Sequence, residues 1–239
     1  MIRDLSIVVP AYKASMTIQP AVEKIIALFG QSAIDFEIIV VVDGEVDDTK
    51  SKLESLNLDR VSVISYLDNR GKGYALRNGF SLATGKFIGF IDADLDLEPG
   101  PLRVGLEMMI EDQSINIIVA SKTHPDSIVD YPLTRKALSR MYATLTKVLF
   151  GLPVRDTQTG LKLFQRQSLL PILDKCKADG FAIDLELLSL AHKNGAKIVE
   201  IPVQLNFQFE STVNFRSALS TLRDTFSVWW SHRSLGQQK

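Results

Sequence analysis

The stretch "KFIGFIDADLDLEPG", Lys86 to Gly100, begins as an apolar run and ends as a row of acids. Phe87, Ile88, Phe90 and Ile91 are the residue types that fill a buried strand. Asp92, Asp94, Asp96 and Glu98 then take every second position. In extended chain alternate residues point to one side, so these acids repel one another along one edge. A solvated acidic turn, with Asp96 or Glu98 capping the next helix, is the plain account. The other is a divalent cation, for which one or two carboxylates plus substrate phosphates is the usual magnesium arrangement. A calcium loop of EF-hand type fits poorly, because Leu97 stands where its glycine belongs and Arg103 where its glutamate belongs. The spacing reads as a metal–diphosphate site at a strand end, held by Asp92, Asp94 and Asp96.

Further apolar runs lie on either side of this strand. "LSIVVP" (Leu5–Pro10), "FEIIVVVDG" (Phe36–Gly44), Val61–Ser65 and "INIIVA" (Ile115–Ala120) each predict a strand. Ile18, Val22, Ile25, Ile26 and Phe29 follow helical spacing, as do Asp47–Leu56, Lys72–Ala83 and the residues Leu102, Leu106, Met109 and Ile110. Helices alternating with continuously apolar strands predict an α/β fold, its mostly parallel sheet covered on both faces. Beyond residue 121 the rhythm changes. Leu133–Phe150 reads as a helix or helix pair, Leu161–Phe164 as a short strand, Ala182–Lys193 as a helix and Ile198–Val203 as a strand. Phe215, Leu219, Leu222, Phe226 and Trp229 step along an amphipathic C-terminal helix. With no repeat or linker, the chain reads as a single domain over 1–239, a nucleotide-type half (1–120) followed by an acceptor-type half (121–239).

The 239 residues are 46% hydrophobic and 23% charged, with a net charge of −1. That balance provides no general basic field for nucleic acid. One cysteine, Cys176, excludes an internal disulfide framework and fits a reducing compartment. A strand beginning at Leu5 leaves no room for a signal peptide, and no apolar run approaches the roughly 20 residues that span a bilayer. A soluble protein, or one lying on a membrane surface, is expected. His124, His192 and His232 lack metal-ligand spacing, and Cys176 has no visible base partner.

Ligands of open α/β sheets bind beyond the carboxyl ends of strands, where Asp43 and Asp92 both fall. "NRGKGYALRNG" (Asn69–Gly79) sets two glycines and two cations where a strand should turn into a helix. It suits a loop passing close to a phosphorylated ligand, with Lys72 beside it, as well as a plain turn.

Taken in order over residues 5–205, "VVPAY", "EIIVVVDG", "NRGKGYALRNG", "DADL", "RDTQTGLKLF" and "FAIDLELL" resemble the inverting glycosyltransferases of family two. More narrowly, they resemble the dolichyl- or polyprenyl-phosphate mannose and glucose synthases. The resemblance implies a GT-A (Rossmann-like) fold, a nucleotide-sugar donor of GDP-mannose or UDP-glucose type, a Mg2+ or Mn2+ ion, and dolichyl or polyprenyl phosphate as acceptor. It assigns Pro10, Tyr12 and Asp43 to the base- and ribose-binding strand ends, and Asp92 and Asp94 to the metal motif. Asp96 stands where mannose synthases often have glutamine. Lys122 in "ASKT" takes a place often held by arginine, and Arg135 in "RKALS" matches the arginine expected on the acceptor phosphate. Arg140 follows it by little more than a turn. Asp156 matches the essential aspartate of the second half, as a base or an orienting group, against the plain alternative of a turn-capping aspartate. Three departures bear on the donor: Lys13 and Ala14 follow the tyrosine, the usual paired aspartates become Val42–Asp43, and "FESTVNF" is closer to glucose-synthase-like members.

A lipid acceptor implies a membrane surface. Arg216, Arg223, Trp229 and Trp230 give the C-terminal helix the composition for an interface, whereas a core-packing helix has the same periodicity. Peripheral binding on a cytoplasmic face is expected, alone or with a separate membrane-anchoring protein. Two other functions compete. A nucleotidyltransferase usually carries a glycine-rich loop directly after its first strand, and "VVPAYKAS" has no glycine. A degenerate nucleotide-sugar binding module would not be expected to keep Asp92, Asp94, Arg135 and Asp156 together.

Overall fold

The computed structural model describes residues 3–94, 96–129, 133–205 and 222–231, and for residues 133–137 the backbone alone. Seven strands form one sheet: β1 (Leu5–Ala11), β2 (Phe36–Asp43), β3 (Val61–Tyr66), β4 (Phe87–Ile91), β5 (Ile117–Ser121), β6 (Leu161–Gln165) and β7 (Ile198–Pro202). Their spatial order is β3-β2-β1-β4-β6-β5-β7. β2 pairs in parallel with β1 and β3, β1 with β4, and β5 with β7, whereas β6 runs antiparallel to both of its neighbours. The mostly parallel sheet read from the sequence is therefore present, with β6 as the one reversed strand.

Each strand alternates between two cores because successive side chains leave opposite faces. Leu5, Ile7 and Val9 of β1 and Ile38, Val40 and Val42 of β2 meet one helical layer. That layer is α1 (Ile18–Phe29), α2 (Thr49–Ser55) and α4 (Gly100–Glu111), which bury Ile18, Val22, Ile25, Leu53, Leu102 and Leu106. Val8, Ile39, Val41, Ile88 and Phe90 point the other way, into α3 (Lys72–Leu82), α6 (Arg166–Leu173) and α7 (Ile183–Lys193). Phe80 on α3 is fully buried, with ring centroids 6.2 Å from both Phe90 on β4 and Phe164 on β6. The long helix α5 (Leu133–Phe150) is continuous, and a further helix, α8, covers 222–231. Tyr142 of α5 and Thr225 of α8 join the two through hydroxyls 2.8 Å apart.

α6 is not in the sequence reading, since Pro171 lies inside it and proline reads as a helix breaker. The expected C-terminal helix is described only in part: Leu222, Phe226 and Trp229 are on it, while Phe215, Arg216 and Leu219 lie outside the described residues, as do "FESTVNF" (209–215), Leu95 and His232.

Strand order reverses at β1: β2 and β3 lie to one side and β4 to the other. The carboxyl ends of β1 and β4 thus flank the switch point where α/β sheets open a ligand crevice. Reversal of β6 brings the residues before Leu161 to this same edge.

Phe80→Ala should cost about 3–5 kcal/mol, the usual range for deleting a buried aromatic. Denaturant unfolding would register it as a lower midpoint at an unchanged slope.

Candidate functional site

Asp92 directly follows β4, on the α3/α7 face of the sheet with Ile88 and Phe90. Its main-chain N–H donates to the Gly160 carbonyl at 2.9 Å. Gly160 has no room for a side chain: a Cβ there would overlap the Asp92 carboxylate. Lys72, the first residue of α3, sets its Nζ 2.8 Å and 3.0 Å from the two Asp92 oxygens. The same ammonium lies 3.2 Å from Asp184 on α7, and Asp184 also accepts from Lys162 on β6. Lys162 is wholly buried and donates as well to the Thr159 carbonyl at 2.8 Å.

Burial pushes the Asp92 carboxyl up; the Lys72 ammonium opposes that rise, and the neighbouring Asp94 and Asp184 charges add to it. Asp184 ends below the usual carboxylate range: burial opposes ionisation, but the Lys162 and Lys72 ammonium groups prevail. Burial likewise depresses Lys162, while the two aspartates keep Lys72 raised against the same desolvation. Asp94 is raised first by the packed turn around it and then by the Asp96 charge. Its side chain keeps a solvent-accessible face, which limits that desolvation. One Asp94 oxygen accepts the Asp96 N–H at 3.1 Å, and the Lys122 charge lies close enough to ease its ionisation.

The residues fit a divalent cation in a particular way. Among the described residues no three His, Cys, Asp or Glu side chains converge as a ligand set. Asp92 is already engaged by Lys72, so Asp94 is the more accessible carboxylate, with Asp96 beside it. Both Asp92 and Asp94 are held above their ordinary pKa, a cost that a nearby cation removes. With so few carboxylates offered, a bound cation would take most of its ligands from a substrate's phosphates and from water.

Asp43 ends β2 on the same face and is nearly buried. Its carboxylate accepts the N–H groups of Arg70 and Gly71 at 2.7 and 2.8 Å. Gly71 adopts φ +95°, open to glycine and strained for other residues. The N–H groups of Gly73 and Tyr74 both point to the Asp179 carbonyl, the first at 2.7 Å. A Cβ on Gly73 would overlap the Ala178 carbonyl. The glycines of "NRGKGYALRNG" therefore serve a close approach to the chain's own 178–180 segment, and these α3 amides are already occupied. Tyr12 and Pro10 lie at the end of β1; Tyr12 is 46% exposed, with Lys13 Nζ 5.3 Å from its ring centroid.

The second half meets this edge through Asp156. One of its oxygens accepts the Lys122 N–H at 2.9 Å and the other the Gln158 N–H at 3.2 Å. Glu200 on β7 accepts from the main chain of Arg155 and Asp156 at 2.8 and 3.1 Å. The hydroxyls of Thr157 and Thr159 are buried without a hydrogen-bond partner. Gln158 Nε2 donates to the Tyr142 hydroxyl at 3.3 Å, joining this loop to α5 and α8. Arg140 is exposed on α5; Arg135 is on the same helix, its side chain outside the described residues. Cys176 is buried, its thiol pushed up to about 12 by burial.

Asp92, Asp94, Lys72, Lys122 and Asp156 thus share one edge of the sheet, with Asp43 and Tyr12 farther along it. Asp184, Lys162, Glu200 and Gly160 take part without having been singled out from the sequence. A signal existed for two of them, since Lys162 interrupts the apolar strand "LKLF" and Asp184 the apolar helix "IDLELL".

The family model of glycosyl transferase family 2 matches residues 6–172. The chain belongs to that family, and its fold is the GT-A fold. It is 28% identical over 232 residues to glycosyltransferase AglD of Haloferax volcanii, with 95% of this chain and 37% of that protein covered. Dolichyl-phosphate beta-glucosyltransferase of Drosophila melanogaster is 28% identical, covering 95% of this chain and 74% of its own length. The Saccharomyces cerevisiae enzyme of the same name is 29% identical, at 83% and 66%. The chain therefore spans about a third of the first relative and about two thirds to three quarters of the others. Among solved structures, glucosyl-3-phosphoglycerate synthase from Mycobacterium tuberculosis, in complex with Mn2+, UDP and glucosyl-3-phosphoglycerate, superposes with a TM-score of 0.73. It is 20% identical, with 95% of this chain and 80% of that one covered.

Gly160→Ala should lose about 1–3 kcal/mol, as overpacked sites do. Gly100→Ala meets nothing within 4 Å and should shift stability by less than about 1 kcal/mol. Equal unfolding midpoints for the two variants would remove the steric role given to Gly160.

Proposed function

We propose that this chain transfers a hexose, glucose before mannose, from a nucleoside-diphosphate sugar to the phosphate of a dolichyl- or polyprenyl-type lipid, with inversion at the anomeric carbon. The observation that carries this reading is the meeting of two sets of groups at one sheet edge. Asp92 and Asp94 come from the nucleotide half, while Lys122 and the Asp156 loop come from the second half. Glucose is favoured because the Drosophila and yeast relatives are named as glucosyltransferases.

In this reading Asp94, with Asp92 and Asp96 beside it, would hold a Mg2+ or Mn2+ ion shared with the donor. When bound, the cation supplies neutralisation of the charge that grows on the departing diphosphate. Asp43, Pro10 and Tyr12 line the nucleotide end, with Asp43 holding the 70–71 turn in place. A phosphate monoester is largely doubly ionised near neutral pH, its second pKa being about 6, so the acceptor needs orientation more than deprotonation. Lys122, Arg135 and Arg140 are the cations for that task. Asp156 acts as an orienting group: both of its oxygens accept main-chain N–H groups, which fixes Lys122 at the edge.

The acceptor's lipid places the enzyme at a membrane surface. No helix among the described residues is long and apolar enough to cross a membrane. Support for surface binding comes from α5 and α8, where Leu138, Met141, Val148, Phe226 and Trp230 are all exposed. Leu138, Met141 and Val148 fall within one stripe of α5 at helical spacing. Arg140, Lys147 and Arg223 are exposed on the same two helices and would meet anionic headgroups.

Incubation with Mn2+, a short polyprenyl phosphate and either UDP-glucose or GDP-mannose should give lipid-phosphate hexose, more from UDP-glucose. Asp94→Asn should keep the melting temperature and lose turnover by about 100-fold or more, the scale of removing a transition-state charge contact. Product formation undiminished in Asp94→Asn at low metal would sink the assignment. Leu138→Asp combined with Phe226→Asp should abolish cosedimentation with anionic vesicles while leaving soluble UDP-glucose binding unchanged.

A further inference from the structure

Behind the edge carboxylates lies a chain of charge that ends on Asp92, and its other three members have no direct part in the transfer just described. Lys162, Asp184, Lys72 and Asp92 alternate in sign from the middle of the sheet to its carboxyl edge. The side chains of Lys162, Asp184 and Lys72 are 0%, 1% and 9% exposed, and only that of Asp92, at 28%, opens to the crevice. The ring of Phe90 lies under both ammonium groups, 5.1 Å from Lys72 Nζ and 5.2 Å from Lys162 Nζ. Stability alone is a poor reason for such a pair. Replacing a buried ion pair by apolar groups of similar size is often neutral or stabilising, whereas removing one partner is strongly destabilising.

We infer that Asp184 and Lys162 are positioning residues: the buried pair fixes the Lys72 ammonium against both oxygens of Asp92, so that Asp94 is presented to the donor diphosphate. This rests on the proposed transfer from a nucleotide sugar. The physical need arises from lysine itself, whose flexible four-carbon stem carries a compact charge with no preferred fork. Held by Asp92 alone, Lys72 is free to swing toward the incoming diphosphate. Its departure leaves Asp92, already strained by burial, beside Asp94. Asp184 supplies a second anchor from α7, and Lys162, itself tied to the Thr159 carbonyl, keeps Asp184 ionised. The loop that carries Gly160 over Asp92 is thereby fixed by the same chain of contacts.

The test separates holding the fold from holding the site. Asp184→Asn leaves Lys162 buried without its partner and should lower the melting temperature sharply. Lys162→Met with Asp184→Asn removes one charge of each sign, and its melting temperature should return close to the parent value. UDP-glucose binding with Mn2+, measured by calorimetry without acceptor, should nevertheless stay about 10–100-fold weaker, the usual effect of losing an outer support. The kcat/KM should fall with it. Asp184→Glu keeps the charge and serves if the double variant does not fold; it should lower the melting temperature less than Asp184→Asn does, and bind UDP-glucose more weakly than the parent. Parental donor affinity in the double variant, or in Asp184→Glu, overturns the positioning role alone. A parent protein that binds no nucleotide sugar overturns the proposed function and this role with it.

Discussion

β4 and β6 run in opposite directions, and the site depends on that pairing. In their register Phe90 faces Lys162 and Ile91 faces Leu161, so the loop preceding β6 emerges beside Asp92. A parallel β6 would carry Asp156, Thr159 and Gly160 to the far end of the sheet. The alternation of strand side chains then sends Asp92, Phe90, Lys162 and Phe164 to one face, where α3 and α7 cover them. One reversed strand therefore joins the first half of the chain to the second and chooses the face on which the charges meet.

The α3 turn is held by the protein's own chain from two directions. Asp43 takes two of its N–H groups and the 178–180 segment takes two more. Arg77 reaches the same segment from the next turn of α3, pairing with Asp179 and the Ala178 carbonyl. Glu186 in turn accepts the N–H groups of Lys177 and Ala178 at 2.9 and 2.8 Å. With its amides committed inward, α3 meets the crevice through the Lys72 side chain, and that side chain is occupied by two carboxylates.

Strands and helices of the first half were legible because their apolar runs and periodicities are strong and local. The acids at Asp92 and Asp94 were legible because four like charges in alternate positions require an explanation. What the sequence hid was pairing at long range. Asp184 lies 22 positions from Lys162 and, although each interrupts an apolar element, nothing local says that the two interruptions compensate each other. Gly160 looked like one turn glycine among several, and only the proximity of Asp92 reveals its steric purpose. The glycines of the 69–79 stretch suited either a loop beside a phosphorylated ligand or a plain turn, and their close approach to the chain's own 178–180 segment is a tertiary fact. The reversal of β6 was equally hidden, since a stretch as short as "LKLFQ" gives no direction to its pairing.

When all four groups are ionised, Lys162, Asp184, Lys72 and Asp92 sum to zero. Opposite charges a few ångströms apart cancel quickly with distance, so this cluster projects almost no net potential beyond the crevice mouth. Seen by an approaching molecule, the field at the sheet edge comes from the outlying groups: Asp94 and Asp96 on one side, Lys122 on the other. Lys122 follows β5 with the Asp156 carboxylate against its own main chain, so this outlying ammonium stands between two acidic groups, Asp156 and Asp94.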